Sequence, residues 1–188
     1  MTNLTFPSAP ISNLSMRLKR VVAISESPFT LDTQVFAHQG ARWEAEVSFP
    51  KLSAEQAKPV EAFILGLKGR ENTFTFGNPL HTSSLSNGTV RSAAIRAETL
   101  ELATGAASVV TAGTYFQLNN RLYCVTETKI ANEPTLKFQP PLRLAVTSSQ
   151  NVIYNLPKTS WRMAANDVGW SISSISEYGF SFACMEAL

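Results

Sequence analysis

The sequence predicts a mostly β protein: a split domain with one short flanking helix, interrupted by a small β-barrel or sandwich. Three observations predict it. Residues Ala41–Phe49 alternate apolar and polar without a break. One helical period lies between Ser53 and Leu67, and short strand-like runs crowd residues 87–156. The chain has 188 residues, enough for one good core or two small ones. Its hydrophobic content of 44% is that of a globular protein.

The first fifteen residues hold Pro7 and Pro10 among polar filler and read as an arm. In residues 15–25, Met16, Leu18, Val22 and Ile24 share one parity while Arg17 and Lys19 take the other, as in a half-buried strand. Pro28 breaks that pattern, and residues 29–39 read as a second strand ended by Gly40. In the third, Ala41, Trp43, Ala45, Val47 and Phe49 share one face, opposite Arg42, Glu44, Glu46 and Ser48. Three such strands form a meander with one apolar face, and that face needs a cover.

The helical segment supplies it. Ser53 and Gln56 fit a capping box, with Leu52 and Ala57 as a hydrophobic staple. Ala57, Val60, Phe63 or Ile64, and Leu67 follow helical spacing, and Gly69 suits the left-handed C-terminal position. Pro59 lies too deep for the first turn of a helix capped by Ser53. Either the first turn is irregular, or the regular helix begins near Lys58 with Pro59 at its first position; the second is the expectation here. Both give a helix of about three turns or fewer. Residues 72–76 then read as a strand with Phe74 and Phe76 on one face.

A linker-like tract at 81–87 leads into strand signals at 90–97, 98–103, 114–118, 121–128, 135–139, 142–147 and 151–156. Asn119-Asn120 fits a two-residue hairpin turn, because asparagine tolerates the left-handed conformation. Pro140-Pro141 marks an edge or corner. The closing run alternates Tyr178, Phe180, Phe182 and Cys184 with small residues, matching the N-terminal strands in character. The layout is therefore discontinuous: residues 1–86 and 157–188 form one domain, and 87–156 are inserted.

The chemistry-bearing residues are few. The net charge of +2 is scattered, which argues against sequence-specific nucleic-acid binding. Cys124 and Cys184 lie far apart in sequence without a C-x-x-C, so two buried free thiols are expected rather than a disulfide framework or zinc site. His38 and His81 have no carboxylate or thiol at ligand spacing and read as surface or turn residues. The glycines at 66–69 lack phosphate-cradling spacing and read as a helix end. No catalytic, cofactor or metal residue is expected. The N-terminus has no basic start or apolar run, and no segment approaches the ~18 apolar residues of a membrane span, so a product of the reducing cytoplasm is expected. Trp43 falls in the strict alternation and is expected in the core. Trp161 and Trp170 lie in polar surroundings and are candidate partner contacts, with Arg70, Tyr115 and Tyr123 completing the set.

The run from Arg42 to Pro79, "RWEAEVSFPKLSAEQAKPVEAFILGLKGRENTFTFGNP", resembles the distal tail proteins of long-tailed bacteriophages. Those relatives show a Trp-containing strand, a short helix ending in L-x-G, and an aromatic strand ending near a proline. "AGTYFQLNNRLYCVTE", "LKFQPPLR" and "GFSFACMEAL" are similar to their inserted and terminal segments, so the resemblance covers about Ala41 to Leu188. It implies a tail-tube-like β-sandwich with a flanking helix, assembled as a hexameric ring in the virion. Such a ring joins the tail tube protein to the hub and tip proteins, with tape-measure protein or fibres as further contacts. DNA passes through only in transit. The alternative is a carbohydrate-binding module acting through the inserted domain, with aromatics such as Tyr115 or Tyr123.

Overall fold

The computed structural model describes residues 2–104, 108–173 and 177–188; Met1 of the expected arm lies outside the described residues. The protein is mostly β, with several sheets and a single helix among these residues.

The main sheet runs in the order β1 (Asn3–Thr5), β4 (Thr73–Phe76), β11 (Thr159–Met163), β13 (Tyr178–Glu186), β3 (Thr33–Ser48) and β2 (Asn13–Glu26). A short strand, β12 (Trp170–Ile172), pairs with the start of β13. All pairings are antiparallel except β1 with β4. The alternation at 41–49 behaves as its period requires. Ala41, Trp43, Ala45, Val47 and Phe49 are all buried.

Two strand readings are corrected. The expected break at Gly40 does not occur, because β3 is one strand of 16 residues that runs through it. The expected meander is instead one long hairpin of β2 and β3. The N-terminal arm also contributes a strand, since β1 pairs in parallel with β4.

Helix α1 (Ala54–Leu67) covers the inner face with Ala57, Val60, Phe63, Ile64 and Leu67. It begins at Ala54 rather than near Lys58, with Ser53 as its cap and Pro59 inside it. The Ser53 N–H donates to Gln56 Oε1 at 3.2 Å, and buried Leu52 and Ala57 sit where a staple requires. Pro59 and Glu55 are both exposed, so the Glu55 carbonyl deprived of its helical partner faces water. At the other end Lys68 and Gly69 are both left-handed (φ 49° and 64°), and the turn closes there.

A second core of fourteen buried residues gathers between Val90 and Tyr154, around Phe116, Tyr123 and Phe138. It lies under a four-stranded sheet in the order β6 (Thr99–Glu101), β9 (Thr135–Gln139), β8 (Arg121–Val125) and β7 (Tyr115–Leu118). A two-stranded ribbon of β5 (Gly88–Thr89) and β10 (Asn151–Val152) accompanies it. Asn119 and Asn120 take φ values of 51° and 57°, turning β7 into β8 as their side chains favour. Residues 90–97 and 142–147 form only isolated bridges, at Val90, Ala93 and Val146, rather than strands.

The two cores are tied together at named points. Trp43 Nε1–H donates to the Leu122 carbonyl at 2.9 Å, and Leu122 packs its side chain in the first core. Glu186 is 3% exposed and accepts from Trp43 N–H at 3.2 Å and from an Arg143 guanidinium N–H at 2.9 Å. Arg121 approaches the same carboxylate at 3.9 Å and donates to the Ala187 carbonyl. A carboxylate buried this deeply is tolerable because two guanidiniums and a backbone N–H compensate it.

Candidate interaction surface

The feature that departs most from an ordinary monomer surface is the outer half of the β2–β3 hairpin. From Asn13 to Arg20, β2 belongs to the sheet. Between Arg20 and Val22 the register shifts: two residues of β2 span four of β3, so β3 carries the extra length at 38–40. Five further pairs then run from Val22↔Ala37 to Glu26↔Thr33. Strand β13 pairs with β3 only over Glu44–Ser48, so among the described residues no third strand and no helix covers this distal ribbon, while Val22 and Ala37 at its base line a cleft with Ile95, Arg96 and Leu142. The tip closes with the Leu31 N–H on the Ser27 carbonyl and the Ser27 N–H on the Asp32 carbonyl, both at 2.9 Å.

Both faces of the ribbon carry apolar residues, beside the polar pairs Glu26–Thr33 on one and Ser25–Gln34 on the other. Val22, Ile24, Val35 and Ala37 lie on one, while Ala23 and Phe36 form a pair on the other. Ile24 is 67% exposed, Val35 62% and Phe36 56%. At the tip Phe29 is 94% and Leu31 70% exposed. Sequence reading missed this surface because Val22 and Ile24 continue the parity of Met16 and Leu18. The available signal was the unbroken apolar run Val21–Ile24, which puts hydrophobic residues on both parities and fits no half-buried strand.

Beside the start of the same strand lies an apolar groove of about 760 Å³ between the N-terminal segment and the end of β4. Phe6, Ile11, Leu14, Leu80 and Leu156 line it, and Lys158 is its one charged lining residue. The outward face of the sheet is of another kind. Glu44 there accepts from Arg42 and Arg17, at 2.8 Å each, with Lys19 Nζ at 3.7 Å. The Arg42 hydrogen bond holds the Glu44 carboxyl below its ordinary value, against the opposing effect of burial.

The five candidate contact residues are not brought together. Trp161 is corrected to a core residue: it is 0% exposed, and its Nε1–H donates to the Phe76 carbonyl at 2.8 Å. The polar neighbours in sequence misled because alternate positions of β11 face outward. Tyr123 is likewise corrected to a core residue. It is 2% exposed between Phe116 and Phe138, with centroids at 5.4 and 5.3 Å, and burial pushes its hydroxyl pKa up. The glycan reading thereby loses Tyr123 as an exposed aromatic. Tyr115 is half-buried at the junction of the two cores, against Trp43 at 5.7 Å and His81 at 5.4 Å. Trp170 is half-buried against Phe180. Arg70 is exposed and lines the cleft that holds Arg17, Arg42 and Glu44.

Both cysteines are free; Cys184 is buried and Cys124 only half so. Among the described residues, no group of three or more His, Cys, Asp or Glu is placed to hold a metal ion. No helix among them is long and apolar enough to cross a membrane. Compared with family models and with curated proteins, the sequence matches none.

Proposed function

We propose that this chain is a structural subunit of a bacteriophage tail tip, forming a closed ring, six-membered in the reading adopted here, between the tail tube and the tip proteins. In that role it has no catalytic or cofactor chemistry; its work is assembly, and DNA crosses the ring without being recognised. It would be made in the host cytoplasm and function in the virion.

The observation that carries the proposal is the distal β2–β3 ribbon, which exposes Ile24, Val35 and Phe36 along its length and Phe29 and Leu31 at its tip. An isolated two-stranded ribbon is marginal in water, and an exposed apolar patch of this extent marks an interaction site. The part of β2 that adjoins it, Asn13–Arg20, is also a sheet edge with no further strand beside it among the described residues. Cyclic symmetry converts such an edge from an aggregation hazard into an interface. Supporting this is the resemblance at Arg42–Pro79 to distal tail proteins.

Negative-stain images of the concentrated protein should show rings with an open centre, and antibody against it should label one end of the tail of the phage that encodes it. A protein that sediments as a monomer at every concentration, or label on the capsid, overturns the proposal.

A further inference from the structure

We infer that the hairpin tip of one copy seats in the groove beside Leu80 and Lys158 of the next copy, making a head-to-tail contact. This deepens the ring reading by naming its contact, and rests on it for the closure of the ring.

Three observations carry the inference. First, the apolar surface is there. Phe29 is 94% and Leu31 70% exposed at the tip, and Ile24, Val35 and Phe36 continue the exposed apolar surface along the ribbon. Counted over both faces with Val21 and Val22, the ribbon exposes on the order of 800 Å², about one partner's share of a standard interface, of which the groove receives the tip. Second, the charges complement. Between Val21 and Ala37 the only charged residues are Glu26 and Asp32, both acidic, whereas the only charged groove residue is Lys158. Third, the two surfaces cannot meet within one chain. Asn13 and Leu14 border the groove at the start of β2, and Glu26 ends that strand at the tip. A strand of that length holds them roughly 40 Å apart. A knob and a groove on different ends of one subunit pair heterologously, and repeated use closes a ring when the rotation closes.

The test uses two exposed positions, Phe29→Asp in the tip and Leu80→Asp in the groove. Wild type should associate with rising concentration in sedimentation velocity. Each variant alone should stay monomeric, and their equimolar mixture should form a one-to-one dimer that grows no further. That dimer pairs the intact tip of one variant with the intact groove of the other. Circular dichroism matching wild type checks folding. Asp32→Lys and Lys158→Glu provide a second pair: each should weaken association at least tenfold, and the double variant should recover most of it.

Association of Leu80→Asp at wild-type strength overturns the inference, because the tip then binds elsewhere or to another tip. So does a mixture that remains monomeric. Rings of Leu80→Asp in negative stain would leave the tail-ring function standing while removing this contact; a monomeric wild type would remove both.

Discussion

Trp161 and Cys184 occupy neighbouring strands, and burial decides what each can do. Trp161 heads the fully buried side chains by volume, and its one polar atom is satisfied by the Phe76 carbonyl. Its sequence neighbours, Ser160 and Arg162, belong to the opposite face of β11, so local composition could not reveal its burial. The alternation of Phe180, Phe182 and Cys184 was legible because a two-residue period states its own face. Cys184 is 1% exposed, and burial pushes its thiol pKa up to about 12. The unfolded thiol releases its proton near pH 9, so above that pH the unfolded chain binds fewer protons than the folded one. This contribution to stability is complete below about pH 9 and is lost as pH rises towards 12, by up to about 1.4 kcal/mol per pH unit. Urea unfolding at pH 8 and pH 10.5 should show a larger alkaline loss for wild type than for Cys184→Ala.

At the scale of the element, α1 and the β2–β3 hairpin show where pattern reading succeeds and fails. The apolar spacing of α1 identified its buried face, because that spacing is the direct trace of helix-on-sheet packing. Its start is not legible because Pro59 reads as a barrier, while the exposure of Glu55 and Pro59 lets water replace the missing partner. Replacing Pro59 with alanine restores an N–H to the helix and relaxes the first turns. The variant should be more stable by about 2 kcal/mol, the helical penalty of proline less its restriction of the unfolded chain, as read from urea midpoints. The hairpin failed differently. Parity identifies which residues share a face, but whether a face is covered depends on where β13 ends against β3, and that is set by long-range register.

For the whole molecule, the mostly β character and the single helix among the described residues are legible from periodicity alone. The contacts between the two cores are not. Leu122 and Trp43 are distant in sequence, and nothing in either strand's pattern announces that one donates to the other's carbonyl. Glu186 shows the same limit: it continues the parity of Phe182 and Cys184, but nothing in that pattern announces that Arg143, Arg121 and the Trp43 N–H enclose it. Glu186→Gln leaves two guanidiniums without their counter-charge. It should destabilise the protein by about 3–5 kcal/mol, measured by chemical unfolding. A loss below 1 kcal/mol would mean that the pair adds little beyond shape.

The same carboxylate has a mechanical consequence. A module joined only by two chain crossings would swivel, and a push on it would dissipate in the joints. Here Glu186 lies on β13, in the middle of the main sheet, and grips two arginines of the second unit. Through that grip the second unit is tied to β13 and, by the shared ladder, to β3, which adds an anchorage beside the two chain crossings.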